Sequence, residues 1–354
     1  VSLAGRDDPS KGGCYEDRPA VTTPAPQPPP SVLAPPLLDA QGRRMTYLRL
    51  SITDRCNFRC SYCSPASWGG KRDLLGAEEL ERITSVFARM GIRRVRLTGG
   101  EPLIRPDILD IARRIAAVPG IQHLAITSNA SHLERLAAPL REAGVTQLNL
   151  SLDTLSAETF RRISKQGDIG AVMRGLDAAA RAGYASLKLN VVVLRGVNDE
   201  EAPALVAYAH ARGFTPRFIE LMPFGQGTPV PTAELVERLQ ASGLPLTPEP
   251  DDTGDASGPA RYWRAPEGRV GFISPLTQNF CGSCNRVRVA SNGDLRSCLG
   301  GRAQAPLHQL IRGGASDVEL AVAIRRALGD KPEGHRFTEP GNGATLLSMM
   351  GIGG

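Results

Sequence analysis

The octet Cys56-Asn57-Phe58-Arg59-Cys60-Ser61-Tyr62-Cys63 sets three thiols at spacings of four and three, directly after the strand-like run Tyr47-Leu48-Arg49-Leu50-Ser51-Ile52. A loop with that spacing can wrap one corner of a soft metal centre. It offers three ligands, however, where a closed zinc or iron–sulfur site takes four. A tetrahedral zinc would draw its fourth ligand from a nearby Cys or His, whereas a four-iron cluster can leave one iron open to a substrate or cofactor. Three purely structural thiols fit less well, because Asp54, Arg55, Asn57 and Arg59 surround them with polar and charged side chains.

Outward from this loop the chain alternates strand with helix. The strands are expected at Tyr47–Ile52, Arg93–Thr98, Gln122–Thr127, Gln147–Leu152, Ser186–Leu194 and Phe214–Leu221. Helices are expected between them, near 77–90, 107–117, 132–142, 157–163, 169–182 and 200–211. Gly91, Gly144, Gly183 and Gly213 each fall between a helix and the next strand, where a left-handed cap is wanted. Repeated strand–helix units imply a parallel sheet with right-handed crossovers. An open doubly wound sheet and an incomplete barrel both satisfy the count. The odd polar residues tip the balance, gathering at the C-terminal ends of successive strands: the Cys loop, Thr98 to Pro102, Ser128-Asn129, Ser151 to Asp153, Arg195 and Glu220. That is how a barrel mouth is furnished. The expected architecture is therefore α/β, an incomplete (β/α)6 barrel with a C-terminal α+β extension closing the barrel mouth.

The domain reading has four parts. Residues 1–38 are expected to be a disordered extension, because the run Thr23-Pro24-Ala25-Pro26-Gln27-Pro28-Pro29-Pro30 and the Pro35-Pro36 pair disfavour hydrogen-bonded structure. The barrel occupies 39–222, a linker with a short helix and a polar surface loop spans 223–261, and a second cysteine-bearing module fills 262–354. With 354 residues, 41% of them hydrophobic and 22% charged, the chain has the composition of a globular protein. The net charge of +6, carried mostly by arginine, suits a polyanionic partner. Two Trp and six Tyr are few for a single-strand stacking platform, which speaks against nucleic acid. No apolar run has the length of a membrane span and the start lacks a signal-peptide core, so a reducing cytoplasm is the expected home.

Six of the seven cysteines fall in two triplets, the second being Cys281, Cys284 and Cys298, while Cys14 has no assigned role. Two sets each one ligand short are most simply explained if both open corners face a shared cavity. Zinc would need His308 or His335 to complete the second set. Arg94 and Arg96 stand two apart on one strand and share a face, as do Arg286 and Arg288; Lys188 and Arg217 alternate with apolar neighbours. Together these residues look like a polyphosphate pocket. Gly99-Gly100-Glu101-Pro102 follows a strand; its glycines would let the backbone approach a ligand closely, and Glu101 offers an acceptor suited to an ammonium group.

The Cys56, Cys60, Cys63 triplet followed by Gly99-Gly100-Glu101-Pro102 resembles the radical S-adenosylmethionine superfamily. The closer resemblance is to the molybdenum cofactor biosynthesis protein A family, the GTP 3′,8-cyclases. It is carried by Asp54-Arg55-Cys56-Asn57-Phe58-Arg59-Cys60, Arg94-Val95-Arg96-Leu97-Thr98-Gly99-Gly100-Glu101-Pro102-Leu103, Leu150-Ser151-Leu152-Asp153, Lys188-Leu189-Asn190-Val191-Val192-Val193 and Arg217-Phe218-Ile219-Glu220-Leu221-Met222. Further matches are Gly271-Phe272-Ile273-Ser274-Pro275, Phe280 to Arg288, Leu310 to Ala315 and the terminal Gly353-Gly354, so the likeness runs from about 39 to 354.

The resemblance implies two [4Fe-4S] clusters, one on Cys56, Cys60 and Cys63 and one on Cys281, Cys284 and Cys298. The first would chelate S-adenosyl-L-methionine, contacted by Tyr62, Gly99, Gly100, Glu101, Ser128 and Ser151. The second would face the guanine of GTP, whose nucleotide and triphosphate match Arg49, Arg94, Arg96, Lys188, Arg217, Arg286 and Arg288. Gly353 and Gly354 would reach into the active site and assist the reaction. The implied reaction is abstraction of the ribose 3′-hydrogen of GTP by a 5′-deoxyadenosyl radical and closure of C3′ onto C8, giving (8S)-3′,8-cyclo-7,8-dihydroguanosine 5′-triphosphate. Implied partners are an external electron donor such as flavodoxin or ferredoxin, and the cyclic pyranopterin monophosphate synthase that takes the product; a homodimer is compatible. The sequence departs from the family pattern at Ser64, where methionine is usual, and at Ala130, where Thr127-Ser128-Asn129-Ala130 replaces Thr-Thr-Asn-Gly. Two rivals remain: a radical S-adenosylmethionine enzyme of another branch, with an auxiliary cluster for peptide maturation, and a zinc-bearing nucleic-acid-binding protein.

Overall fold

A computed structural model describes residues 32–63, 73–223, 226–250 and 258–337. The expected rhythm is present almost residue for residue. Strands β1 (Tyr47–Ser51), β2 (Arg94–Thr98), β3 (His123–Ser128), β4 (Gln147–Ser151), β5 (Ser186–Val193) and β6 (Thr215–Glu220) alternate with helices α1 (Ala77–Arg89), α2 (Ile108–Ala117), α3 (Leu133–Glu142), the pair α4 (Ala157–Ser164) and α5 (Ile169–Arg181), and α6 (Ala202–His210). Each helix buries one stripe: in α1, Leu80, Ile83, Val86 and Phe87 recur at helical spacing and pack on the sheet. The four inter-element glycines 91, 144, 183 and 213 have φ of 109°, 95°, 70° and 73°, the left-handed conformation expected of them.

All six strands are parallel and paired in chain order. After β6 come α7 (Thr232–Ala241), β7 (Thr247–Pro248), β8 (Arg261–Ala265), β9 (Gly268–Ile273), β10 (Arg286–Val289), β11 (Asp294–Arg296), β12 (Ala305–Pro306), α8 (Leu307–Arg312) and α9 (Asp317–Gly329). They extend the same sheet at both edges. β9 lies parallel to β6 and β10 lies parallel to β1, giving the order β12-β11-β10-β1-β2-β3-β4-β5-β6-β9-β8-β7. The sheet curls without closing. The residues between β9 and β10, which carry Cys281 and Cys284, connect one end of the parallel run to the other.

Two details of the layout change. The first is the level of the second triplet: Cys281 and Cys284 immediately precede β10, whose first residue Arg286 is in register with Tyr47 at the start of β1. Cys298 follows β11, which runs antiparallel to β10, so the whole second triplet stands at the N-terminal end. One strand length, roughly 15 Å at 3.3 Å per residue, separates the two levels. The second change is at the N-terminal boundary. The stretch Val32–Leu37, read as part of a disordered extension, is packed: Leu33 and Leu37 are buried in the main core. Arg325 on α9 donates hydrogen bonds to the carbonyls of Val32 (2.7 Å) and Ala34 (2.5 Å), replacing the ladder that prolines cannot join.

The alternation of the strands explains the interior. Leu48, Leu50, Val95, Leu97, Leu124, Ile126, Leu148, Leu150, Leu189 and Val191 are buried in one core beneath the helices. The opposite parity carries Arg49, Arg96, Thr127, Asn149, Asn190, Arg217 and Arg288. A barrel whose lumen side is polar is built around something other than packing.

Candidate functional site

A cavity of about 250 Å³ opens at the C-terminal strand ends and is lined by Cys56, Cys60, Cys63, Tyr62, Gly99, Gly100, Glu101, Ser128 and Ser151, among others. The cysteine loop is held from several sides. Arg59 N–H donates to the Ser164 carbonyl (2.9 Å) and Ser61 N–H to that of Ile163 (3.0 Å), while Phe58 stands edge-on to Phe160 with ring centroids 5.7 Å apart. The Arg59 guanidinium folds back onto the carbonyls of Cys56 (2.6 Å) and Phe58 (2.9 Å). The three cysteines are free thiols. Burial pushes Cys56 up to about 11, Cys63 up to about 12 and Cys60 well up. Such thiols give up their protons to a metal centre, whose positive charge replaces the solvation they have lost. The donor set therefore fits one open-cornered cluster. Among the described residues no group of three or more His, Cys, Asp or Glu is arranged to hold a single metal ion.

The diglycine acts differently from the expectation. A Cβ on Gly99 would lie 2.2 Å from the Thr53 carbonyl oxygen, and one on Gly100 would lie 2.1 Å from that of Arg55. The close approach is thus to the chain's own cysteine loop, to which Gly100 N–H and Glu101 N–H donate (2.8 Å each, to Thr53 and Arg55). Glu101 is carried into the cavity lining, where its carboxylate accepts from Leu103 N–H (3.0 Å), Asn129 N–H (2.7 Å) and the Ser128 hydroxyl (2.8 Å). Burial outweighs these bonds and raises its pKa to about 7. Ser128 is thereby committed to Glu101. Ala130 holds φ at 66° in the position of the family's glycine, with its N–H bonded to Ser128 Oγ (3.0 Å), so the turn survives the substitution. Tyr62 donates to Asp153 (2.7 Å), a buried carboxyl that burial pushes up to about 6 and that also accepts from Val192 N–H (2.8 Å).

A second cavity of about 180 Å³ adjoins the first. It is lined by Cys281, Cys284 and Cys298 together with Arg49, Arg96, Arg217, Arg286 and Arg288; no Asp or Glu is among its described lining residues. Thr127, Asn190, Ile219 and Met222 line both cavities and form their common wall. Arg217 is held by two amide oxygens, Asn149 Oδ1 (2.6 Å) and Asn190 Oδ1 (2.7 Å), so its charge is oriented without being cancelled. Burial pushes Arg217 and Arg288 down to about 10, and burial with the crowding of Arg288 pushes Arg49 well down. Clustered guanidiniums in that state favour an anion. Arg96 Nε and Thr127 Oγ1 are buried with no hydrogen-bond partner among the described residues. Burial pushes Cys284 up, but Arg286 and Lys331 outweigh it and bring the thiol to about 7; Cys281 is raised by burial.

The structure thus brings together the six cysteines and five of the seven proposed basic contacts around one lumen. Arg94 and Lys188 share the face of Arg96 and Asn190 one pleat further from the first triplet, and they are not among the lining residues. Ser64, Gly353 and Gly354 lie outside the described residues. Sequence reading passed over Thr127, Asn149, Asn190 and the role of Asp153. The signal was available: each of the first three falls on the same strand parity as the arginines.

Matches to known proteins agree with this geometry. The radical SAM superfamily model matches residues 50–209 and the molybdenum cofactor synthesis C model matches 214–337. The chain is 44% identical over 322 residues to the GTP 3′,8-cyclase of Rhodopseudomonas palustris (strain TIE-1), covering 87% of this chain and 92% of that one. It is 44% identical over 328 residues to GTP 3′,8-cyclase 1 of Pseudomonas aeruginosa, covering 90% and 99%. In fold it resembles Streptococcus suis SuiB in a crystal structure bound to S-adenosylmethionine, with a TM-score of 0.57 at 16% identity over 86% of this chain and 77% of that one. Two thiol triplets on one barrel, followed by the matching C-terminal region, leave a single assignment: the chain belongs to the radical S-adenosylmethionine superfamily and, within it, to the GTP 3′,8-cyclase family.

Proposed function

We propose that this protein is a GTP 3′,8-cyclase that converts GTP to (8S)-3′,8-cyclo-7,8-dihydroguanosine 5′-triphosphate for molybdenum cofactor biosynthesis. The observation that carries the reading is the lumen itself: a three-thiol set in each of two adjoining cavities and, in the second, five guanidiniums with no carboxylate among the described lining residues. When bound, two [4Fe-4S] clusters and S-adenosylmethionine supply electrons and a 5′-deoxyadenosyl radical able to take the ribose 3′-hydrogen.

The chain's own residues do the placing. Cys56, Cys60 and Cys63 hold the first cluster and Cys281, Cys284 and Cys298 the second. Glu101, fixed by Ser128 and the Asn129 N–H, accepts from the methionyl amino group, and Tyr62 and Ser151 border the same cavity. Arg49, Arg96, Arg217, Arg286 and Arg288 take the triphosphate, with Arg94 and Lys188 adding to the field from below. This set aligns the ribose beneath the first triplet and the guanine toward the second. Enclosure matters as much as contact, since a carbon radical reacts with whatever C–H bond lies nearest. Gly353 and Gly354 assist from the tail. A flavodoxin or ferredoxin supplies electrons, and a cyclic pyranopterin monophosphate synthase takes the product.

The test is anaerobic incubation with reductant, S-adenosylmethionine and GTP deuterated at C3′. A chromatographically distinct isomer of GTP should form, with the label recovered in 5′-deoxyadenosine. Unlabelled 5′-deoxyadenosine with GTP returned unchanged, or zinc in place of iron in the purified protein, would sink the proposal.

A further inference from the structure

Lys331, just beyond α9, is a cation buried to 3% exposure at the second thiol set. Its ammonium donates to Cys284 Sγ (3.6 Å), to the carbonyl of Arg286 (3.0 Å) and to the carbonyl of Ser297. One side chain therefore ties the arm bearing Cys281 and Cys284 to the arm bearing Cys298. Among the described residues its bonded partners include no carboxylate, so the charge is spent on a ligand sulfur and on peptide dipoles. Burial, with the nearby charges of Arg43 and Arg286, pushes the Lys331 pKa down, and the charge of Cys284 and Cys298 opposes that. The neighbouring turn is secured separately. Arg43 donates to the carbonyls of Cys281, Pro332 and Glu333, each at 2.7 Å, so Lys331 is delivered to the sulfur by a fixed segment.

We propose that Lys331 is a positioning residue of the second cluster: it holds the two cysteine arms in register and, by directing its charge at the Cys284 sulfur, raises that cluster's reduction potential. The inference rests on the reading that Cys281, Cys284 and Cys298 hold an iron cluster. A positive charge at a ligand sulfur favours the reduced, more negative state, and hydrogen bonds to the sulfurs act in the same direction.

The experiment is an anaerobic redox titration, followed by electron paramagnetic resonance, of the full chain and of Lys331→Met and Lys331→Arg, with iron counted in each. In Lys331→Met the oxidised-to-reduced ratio of the second cluster at the wild-type midpoint should rise at least tenfold, a shift of 59 mV to lower potential for one electron. The first cluster, at the far end of the lumen, should not move. Lys331→Arg should return to within threefold of wild type. An unshifted Lys331→Met with full iron overturns the inference, as does a Lys331→Arg displaced as far as Lys331→Met. Should Lys331→Met lose the second cluster, Lys331→Gln carries the measurement by the same criteria; iron lost from both but kept by Lys331→Arg supports the holding role. A wild-type protein with only about four irons refutes the cluster reading itself and the inference with it.

Discussion

Cofactor affinity should depend on pH through Glu101. Its carboxyl is buried, and its pKa stands at about 7 against an unperturbed 4.5. A carboxyl with a raised folded-state pKa contributes stability that is fully present below the unfolded value and is lost as pH rises through the folded one. The ligand-free protein should therefore lose roughly 3 kcal/mol from this group between about pH 4.5 and pH 7. Binding works the other way. The amino group of S-adenosylmethionine is best accepted by the ionised carboxylate, whose population rises from about 10% at pH 6 to about 90% at pH 8 for a pKa near 7. That is about a tenfold gain in affinity, or ~1.4 kcal/mol. The cofactor's amine also titrates in this range, and Glu101→Gln separates the two effects because it keeps the amine's contribution and removes the carboxyl's. Equilibrium dialysis of labelled S-adenosylmethionine at pH 6, 7 and 8, with iron content checked at each, supplies the numbers. At pH 8 the variant should bind about 10–100-fold more weakly, the loss of one hydrogen bond to a charged group. The wild-type-to-variant affinity ratio should grow about tenfold from pH 6 to pH 8. A ratio that stays constant with pH would refute the argument, even if the variant binds weakly.

Three further outcomes are expected. Asn190→Asp places a carboxylate on the Arg217 guanidinium, now 2.7 Å from the amide oxygen, and should raise the GTP dissociation constant ~30–100-fold through roughly 2–3 kcal/mol of repulsion at an effective dielectric near 20; unchanged GTP binding in dialysis would count against the anion pocket. Gly100→Ala drives a Cβ to 2.1 Å from the Arg55 carbonyl, a backbone atom that cannot swing aside. It should cost roughly 3 kcal/mol or more and strip the first cluster while sparing the second, as read by iron content and thermal unfolding. Replacing Cys281, Cys284 and Cys298 with Ser should halve the iron from about eight to about four per chain and leave reductive cleavage of S-adenosylmethionine intact, whereas the same change at Cys56, Cys60 and Cys63 should abolish cleavage.

Much of this was legible one residue at a time. The strands and helices of the barrel follow from period-2 and period-3.6 patterning, and their observed limits differ from expectation by one or two residues. The short strands β7, β11 and β12 carry too few residues to show a period, and β8 begins in a stretch read as loop. Gly99 and Gly100 were recognised as a close approach, but what they approach is Thr53 and Arg55, a contact between segments about 45 residues apart that local sequence cannot display. Arg94 and Lys188 were grouped with the lining arginines because parity identifies the face of a strand and says nothing of depth along the barrel. Lys331 drew no notice, since a lysine after a helix is ordinary until the fold buries it on a cysteine.

By itself, then, the sequence determined the local quantities: which residues are strand or helix, which parity faces the lumen, and that each thiol set is one ligand short. Those are fixed by covalent spacing and by the short-range preference of apolar side chains to share a face. Tertiary structure alone decided that the triplets stand at opposite ends of the strands, that β9 and β10 join opposite edges of one sheet, and that Asn149 and Asn190 leave Arg217 uncancelled. The physical reason is register. Parallel pairing of β10 with β1 sets the level of every residue attached to them, and that pairing depends on hydrogen bonds between segments more than 200 residues apart.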